Sequence, residues 1–504
     1  MGLRVLHRFA LALAVGGVAF ALVAVVYLVG GPKPPGGGNQ SGDDSNITYE
    51  PKLREPAVAG GFYPDDPAEL RQMVDSYLGD AEVVCSGQEI GGLIVPHAGY
   101  VYSGPVAAWA FKQLGNRTYD TVILVGPSHY EAVSKASVYP CGWYRTPLGD
   151  VEVDEGISMS LIRTSADITY QPEAHDQEHS LEVQLPFLQE ALGEFKIVAM
   201  AINDYDPALW TRVAGAIADC CRGRRVLLVA SSDLSHYHPR SDAIILDQAL
   251  VSSIDACDPV GLQFKARSGA CELCGLAAVQ TVMLACERMG YGASKVLRYG
   301  DSGSYSGDVS SVVGYVSAAL TRANTSSALG AGSCQELLKL ARSSIAHYLE
   351  TGQTLDYQTT DPGLLGRGGA FVTLKKHGTL RGCIGYTLPE YPLWLAVREV
   401  AIKAACEDPR FAPLTIDELK DVEVEVSVLS RLKLVLSPDE IQIGRDGLYI
   451  VGYGTAGLLL PQVPVENGWD RQRYLAEICN KAGLASDAWK TSELYSFTAQ
   501  VFGE

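Results

Sequence analysis

Arg225-Val226-Leu227-Leu228-Val229-Ala230 runs straight into Ser231-Ser232-Asp233-Leu234-Ser235-His236-Tyr237-His238. An apolar run that ends in small, acidic and imidazole side chains reads as a strand buried on both faces, with chemistry at its carboxyl end. The pattern occurs twice more upstream. Gly92-Leu93-Ile94-Val95 leads into Pro96-His97-Ala98-Gly99-Tyr100, and Thr121-Val122-Ile123-Leu124-Val125 leads into Gly126-Pro127-Ser128-His129-Tyr130. Phe195–Met200 is a fourth apolar run. Helical stretches at Val106–Leu114, Leu181–Leu192 and Ala208–Cys221 lie between the runs. This alternation predicts an α/β domain with a mostly parallel sheet sandwiched by helices. Ligands of open α/β sheets bind beyond the carboxyl ends of the strands. Six of the nine histidines fall between positions 97 and 238, so three strands each ending in histidine point to one shared metal or acid–base site.

The chain has 504 residues, enough for two to four domains at roughly 100–200 residues each. Forty basic against 58 acidic residues give a net charge of −18, with no dense Lys/Arg run, which argues against nucleic-acid binding. Twelve cysteines are too few for a disulfide scaffold, and no paired CxxC motifs make a zinc ribbon. Arg4, His7 and Arg8 precede the uncharged stretch Phe9–Gly31, which is long enough to span a bilayer. Residues 1–31 are therefore expected to be a single-pass transmembrane anchor, with a cleaved signal peptide as the rival reading. The positive-inside rule would place the rest outside the cytoplasm. A polar linker follows at 32–50. The first domain is expected over 51–322, and a Ser/Gly-rich linker over 323–333. Over 334–504, strands (Ala370–Leu374, Val422–Leu429, Leu448–Val451) mix with helices (Cys334–Tyr348, Leu393–Glu407, Gln472–Ala482), which predicts a smaller α+β domain.

Cys271-Glu272-Leu273-Cys274-Gly275 stands before the apolar helix Leu276–Met289. A thiol at a helix N-terminus is biased toward thiolate, the metal-ligating form. A redox pair and two inert, half-buried thiols are the other readings. His175-Asp176-Gln177-Glu178-His179 fits the H-x-x-E-H pattern of inverted zinc peptidases, in which one helix face would carry both imidazoles. The alternative is a polar helix start, with Glu182 lining a cleft. Phe62, Tyr63, Tyr100 and Tyr102 are aromatic residues near these motifs and suit a pocket wall or its rim.

Several strings together carry a family resemblance. They are Glu55-Pro56-Ala57-Val58-Ala59-Gly60-Gly61-Phe62-Tyr63-Pro64, Pro96-His97-Ala98-Gly99-Tyr100-Val101-Tyr102-Ser103-Gly104, Gly126-Pro127-Ser128-His129, Ala174-His175-Asp176-Gln177-Glu178-His179-Ser180-Leu181-Glu182, Ser232-Asp233-Leu234-Ser235-His236 and Cys274-Gly275. In this order they resemble the Memo family, which looks like the class III extradiol dioxygenases that use non-haem Fe(II). The resemblance implies metal ligands at His97, His129 and Cys274, with Asp233 and His236 beside them. A cysteine replaces the dioxygenase carboxylate, giving a softer site that suits Fe(II), Cu or Zn and puts ordinary catechol cleavage in doubt. Gly378-Thr379-Leu380-Arg381-Gly382-Cys383-Ile384-Gly385, Asp408-Pro409-Arg410-Phe411, Leu459-Leu460-Pro461-Gln462-Val463 and Gly468-Trp469-Asp470 resemble the AMMECR domain. Members of the two families occur with a radical-SAM protein in a three-part system, AmmeMemoRadiSam, which implies such a partner here.

The leading expectation is a metal-dependent redox enzyme acting on a small-molecule or peptide substrate. His236 would be its general acid/base, oriented by Asp233, while Tyr102 and His179 position the substrate. The rival is a non-catalytic binding scaffold whose metal is structural or absent; the zinc peptidase is a minor alternative. In the second domain Arg381 and Cys383 are expected on a tight, glycine-flanked turn. Cys383 is either a nucleophile or a buried structural thiol, and Glu425 is a further candidate on a strand.

Overall fold

The computed structural model describes residues 48–203, 205–322 and 328–504. Nine strands make the large sheet: β1 (Ile90–Val95), β2 (Thr121–Gly126), β3 (Ala136–Val138), β4 (Ile168–Thr169), β5 (Lys196–Ala201), β6 (Val226–Ser231), β7 (His236–His238), β8 (Ala293–Asp301) and β9 (Val312–Thr321). Their order is β7-β9-β1-β6-β2-β5-β3-β4, with β8 also on β9. The four central strands β1, β6, β2 and β5 are parallel, as the continuous apolar runs predict. Alternate side chains of each strand enter opposite cores. Ile94, Ile123, Val198 and Leu228 pack on one face, and Leu93, Val122, Ile197 and Leu227 on the other.

The helices that matter for the site arise from local signals. Helix α1 (Tyr100–Lys112) starts directly after Gly99. Residues 173–192, expected to hold one long helix from Leu181, instead form three short ones: α2 (Glu173–Asp176), α3 (His179–Glu182) and α4 (Leu185–Leu192). Glu178 causes the first break, because its extended backbone and its carboxylate cap the N-terminus of α3. Further on come α5 (Pro207–Cys220), α6 (Pro259–Arg267) and α7 (Leu276–Arg288).

The second part begins with α8 (Ala331–Thr351). It has two four-stranded sheets built from β10 (Ala370–Lys376), β11 (Thr379–Tyr386), β12 (Val422–Leu429), β13 (Lys433–Leu434), β14 (Gly447–Gly452), β15 (Thr455–Leu459), β16 (Glu493–Phe497) and β17 (Ala499–Gly503). Their orders are β11-β10-β12-β17 and β13-β16-β14-β15. Helices α8 and α9 (Leu393–Cys406) cover one face of the first sheet through Leu337, Leu340, Val397 and Val400. Residues Thr48–Glu504 form one compact unit.

The expected membrane anchor needs correction. Among the described residues no helix is long and apolar enough to cross a membrane. Even α8, with 21 residues, carries Glu336, Lys339, Arg342 and Glu350 and buries only one stripe. The stretch Phe9–Gly31, on which single-pass topology and an extracytoplasmic location rested, lies outside the described residues.

Phe111 of α1 and Phe187 of α4 stack at 5.1 Å, and both are fully buried. Phe187→Ala is expected to cost about 3–5 kcal/mol by leaving a cavity under the sheet, measured as a shift of the urea unfolding midpoint.

Candidate metal centre

Strands β1, β6 and β2 are adjacent and parallel, with Val95 beside Ser231 and Val125 beside Ala230. Neighbouring strands lie about 5 Å apart, so the loops leaving their carboxyl ends meet. These loops deliver His97, Asp233 and His129 to one place. Cys274, from the loop before α7, joins them. Its N–H donates to the Asp233 carbonyl at 3.3 Å, and the Asp233 N–H donates back to Cys274 Sγ at 3.3 Å. Gly275 makes this approach feasible, because a Cβ there would lie 2.4 Å from the Ser231 carbonyl oxygen.

His97, His129 and Cys274 bring one donor atom each within 4.8 Å of one another. Cys274 Sγ is 3.2 Å from His97 Nε2. His97 Nδ1 lies 2.9 Å from Ser231 Oγ, whose own proton goes to the Ser180 carbonyl. Ser231 therefore accepts, Nδ1 carries the hydrogen, and Nε2 is the atom left facing the cluster. His129 obeys the same rule. Its Nδ1 faces Glu178 Oε1 at 2.9 Å, a carboxylate that can only accept, which leaves Nε2 for the cluster. Glu178 also accepts from the backbone N–H of His129 at 2.5 Å and of Ser180 at 2.7 Å.

Charge is organised around the thiol. Burial raises the Cys274 pKa, but the charge of His97 and hydrogen bonds from His129 and His97 bring it down to about 6. Burial opposes charge on His129, yet its contacts with Cys274 and Glu178 lift its pKa to about 10. Burial likewise works against ionised Glu178, but bonding to His129 holds its pKa near 2. Both shifts favour thiolate and imidazolium in the metal-free pair.

The remaining sequence candidates sort around this cluster. His179 stacks on His129 at 4.5 Å and stands edge-on to His97 at 5.5 Å. Burial and the neighbouring imidazoles push its pKa down to about 3, and its Nδ1 has no hydrogen-bond partner. His129, Glu178 and His179 form a second, overlapping group of potential metal donors. Asp233 is buried and accepts from the His97 N–H at 2.7 Å; burial raises its pKa. It does not hydrogen-bond the His236 ring, contrary to the expected pairing, because His236 Nδ1 turns to the Leu234 carbonyl at 2.8 Å. Tyr102 stands exposed on the first turn of α1.

The H-x-x-E-H pattern does not assemble. Glu178 ends the run between α2 and α3, so His175 and His179 do not share a helix face. His175 is fully buried between Ser137 Oγ at 2.9 Å and the Tyr144 hydroxyl at 3.1 Å. Burial, aided by the Arg54 charge, lowers its pKa to about 3.

Behind the cluster lies a clamp that the sequence reading missed. Arg54, 4% exposed, forms an ion pair with fully buried Glu182. Arg54 also donates to the His175 carbonyl at 3.1 Å and the Glu178 carbonyl at 2.6 Å. Glu182 accepts from the N–H groups of Ala57 and Val58 and from the Tyr63 hydroxyl, at 2.7, 3.1 and 2.5 Å. Arg54 lies in the charged run Glu50-Pro51-Lys52-Leu53-Arg54-Glu55, where nothing local distinguishes it from a solvent-facing cation.

In the second domain, Arg381 and Cys383 sit on strand β11; the turn lies earlier, at His377-Gly378. Cys383 is on an edge strand whose free backbone is occupied by Asp408 and Arg410. The Cys383 N–H donates to Asp408 at 2.9 Å, and Arg410 donates to the Cys383 carbonyl at 3.1 Å. Thr373 Oγ1 lies 3.3 Å from Cys383 Sγ. Arg381 pairs with Glu418 at 2.9 Å, and Glu425 with Lys375 at 2.9 Å. None of the three joins the histidine cluster.

Two outcomes are expected. Arg54→Met strands Glu182 as a lone buried charge and should cost about 3–5 kcal/mol in chemical unfolding. In metal-free protein the thiolate of Cys274 is the reactive form, so its alkylation rate should climb through pH about 6 instead of 9, followed peptide by peptide by mass spectrometry.

Residues 54–319 match the family model described as Memo-like protein, and residues 338–502 match the AMMECR1 model. A relative from Nitrosopumilus maritimus is 35% identical over 268 residues, covering 52% of this chain and 98% of its own. Another, from Methanopyrus kandleri, is 38% identical over 282 residues, covering 53% and 99%. Both are described as MEMO1 family proteins. A crystal structure of an uncharacterized protein from Pyrococcus horikoshii is 43% identical, covers 34% of this chain and 91% of its own, and has a TM-score of 0.33. The chain belongs to the Memo family, its Memo domain having the extradiol-dioxygenase-like α/β fold and being followed by an AMMECR1 domain.

Proposed function

We propose that this protein is a metal-dependent redox enzyme whose Fe(II) is held by His97, His129 and Cys274, working alongside a radical-SAM protein. The observation that carries this reading is the convergence of three donor atoms within 4.8 Å, with both imidazole Nδ1 atoms tied from behind. Two imidazoles and a thiolate fit a borderline-soft divalent ion, so Cu and Zn share the donor preference. When bound, the ion supplies Lewis acidity and one-electron chemistry, and three protein ligands leave positions free for substrate.

The protein's own groups have separable tasks. Ser231 and Glu178 fix the two imidazoles so that Nε2 of each faces the thiol. Binding a cation displaces the proton that His129 and Cys274 otherwise share, which ties affinity to pH. His236 donates Nδ1–H to the Leu234 carbonyl, so its Nε2 is the atom available to take a proton from substrate and return it. His179 is held neutral beside the cluster and orients substrate by stacking, and Tyr102 offers its hydroxyl at the rim.

The test is anaerobic metal analysis of the full chain. Wild type is expected to hold about one iron per chain and to consume oxygen with a suitable substrate, whereas Cys274→Ser and His129→Ala lose the iron while remaining folded. A folded wild type that binds no iron in vitro would overturn the assignment and favour a ligand-binding scaffold.

A further inference from the structure

Helix α6 (Pro259–Arg267) belongs in sequence to the Memo domain, yet one of its faces belongs to the other domain. Val260, Gln263, Phe264 and Arg267 have the i, i+3, i+4, i+7 spacing of a single helical stripe. Each of them meets the AMMECR1 domain. Val260 shares an apolar cluster with Leu432, Tyr495 and Phe497, and Phe264 packs against the same cluster. The Phe264 ring lies 5.6 Å from that of Tyr495 and 6.2 Å from that of Tyr449. Gln263 donates to the Tyr495 hydroxyl at 3.1 Å and to Glu493 at 3.2 Å. Arg267 forms an ion pair with Glu493. The lead-in to the helix is held from the same side, since Arg431 donates to the carbonyls of Ala256 at 2.8 Å and Gly292 at 2.6 Å.

The loop between α6 and α7 carries Cys274. It is bound to α6 at its start, where the Ser268 N–H donates to the Phe264 carbonyl and the Ala270 N–H to that of Lys265. At its end it is bound to the β6 terminus through Cys274 and Gly275. The third donor of the candidate metal centre thus stands on a segment braced between the parallel sheet and the second domain. His97 and His129 have no such dependence, because both come directly after central strands.

We propose that the AMMECR1 domain is a positioning element for Cys274: its β16 strand and Arg431 fix α6, and α6 fixes the thiol against the two imidazoles. Phe264, Arg267, Glu493 and Tyr495 are then positioning residues of the metal centre, though none of them reaches it. The inference rests on reading Cys274 as a ligand. Its primary test needs no metal, so it stands or falls apart from the identity of the ion.

The experiment uses the full chain with Arg267→Glu, Phe264→Ala and the charge-swapped pair Arg267→Glu/Glu493→Arg, with Arg222→Glu, on the exposed turn before β6, as a surface control. Cys274 alkylation in metal-free protein is followed by peptide mass spectrometry. Co(II) affinity is read separately from the thiolate-to-cobalt absorption. Arg267→Glu and Phe264→Ala are each expected to change the Cys274 labelling rate and to weaken Co(II) binding by about 3-fold or more. The charge swap should recover part of both, because it restores the ion pair but removes the acceptor for Gln263 and Tyr495, and the control should leave both at wild-type values. Wild-type labelling of Cys274 in Arg267→Glu and Phe264→Ala would overturn the proposal. So would an equal change in the Arg222→Glu control, which would mark a general loss of stability.

Discussion

The buried ion pair between Arg54 and Glu182 is the constraint on which the candidate centre hangs. Two charges removed from water are tolerated only when every remaining donor and acceptor is also matched. Here that matching extends to the carbonyls of His175 and Glu178, to the backbone of Ala57 and Val58 and to the Tyr63 hydroxyl. The pair consequently fixes the path of residues 175–182. That path turns Glu178 toward His129 and lays His179 over the same ring. The clamp never touches the donor atoms, yet it sets the orientation of one of them through a single carboxylate.

The features legible in the sequence were those set by short-range physics. A strand buried on both faces must be apolar throughout, so β1, β2, β5 and β6 were visible as runs, and the residues just past their ends were visible as polar interruptions. His97, His129 and Asp233 were found in this way. Relationships spanning long sequence separations were not legible. Nothing near Arg54 says that its partner is Glu182, and nothing near Ser231 says that its hydroxyl will hold His97. The spacing of His175, Glu178 and His179 was actively misleading, because helical spacing presumes an unbroken helix and Glu178 supplies the cap that breaks it. Asp233 was expected to orient His236, but His236, at the start of β7, bonds the Leu234 carbonyl instead. The membrane expectation failed for another reason: it rested on residues outside the described ones, and among those described no helix is long and apolar enough to span a bilayer.

The edge of the second domain repeats one lesson on a smaller scale. Glycines around Cys383 suggested a turn, whereas Gly382 and Gly385 are strand positions where a side chain would strike the Ala404 carbonyl or the Phe371 ring. Glycine marked close approach there, not reversal of the chain. The Asp408-Pro409-Arg410 segment then supplies, at Cys383 alone, the acceptor and donor that a fifth strand would otherwise provide.

Charge balance narrows what the centre can hold. Three acidic groups stand in or beside the cluster: Cys274 and Glu178, which imidazole contacts hold toward their charged forms, and Asp233, whose pKa burial raises. Two neutral imidazoles add nothing. A bound cation would offset the Cys274 and Glu178 charges in a site where uncompensated charge is costly. The same count explains the metal-free state, in which a single proton on His129 can only partly offset the thiolate and the carboxylate that face it. Part of that balance comes from Glu178, which is not among the three proposed ligands and is held in place by a clamp beginning at Arg54.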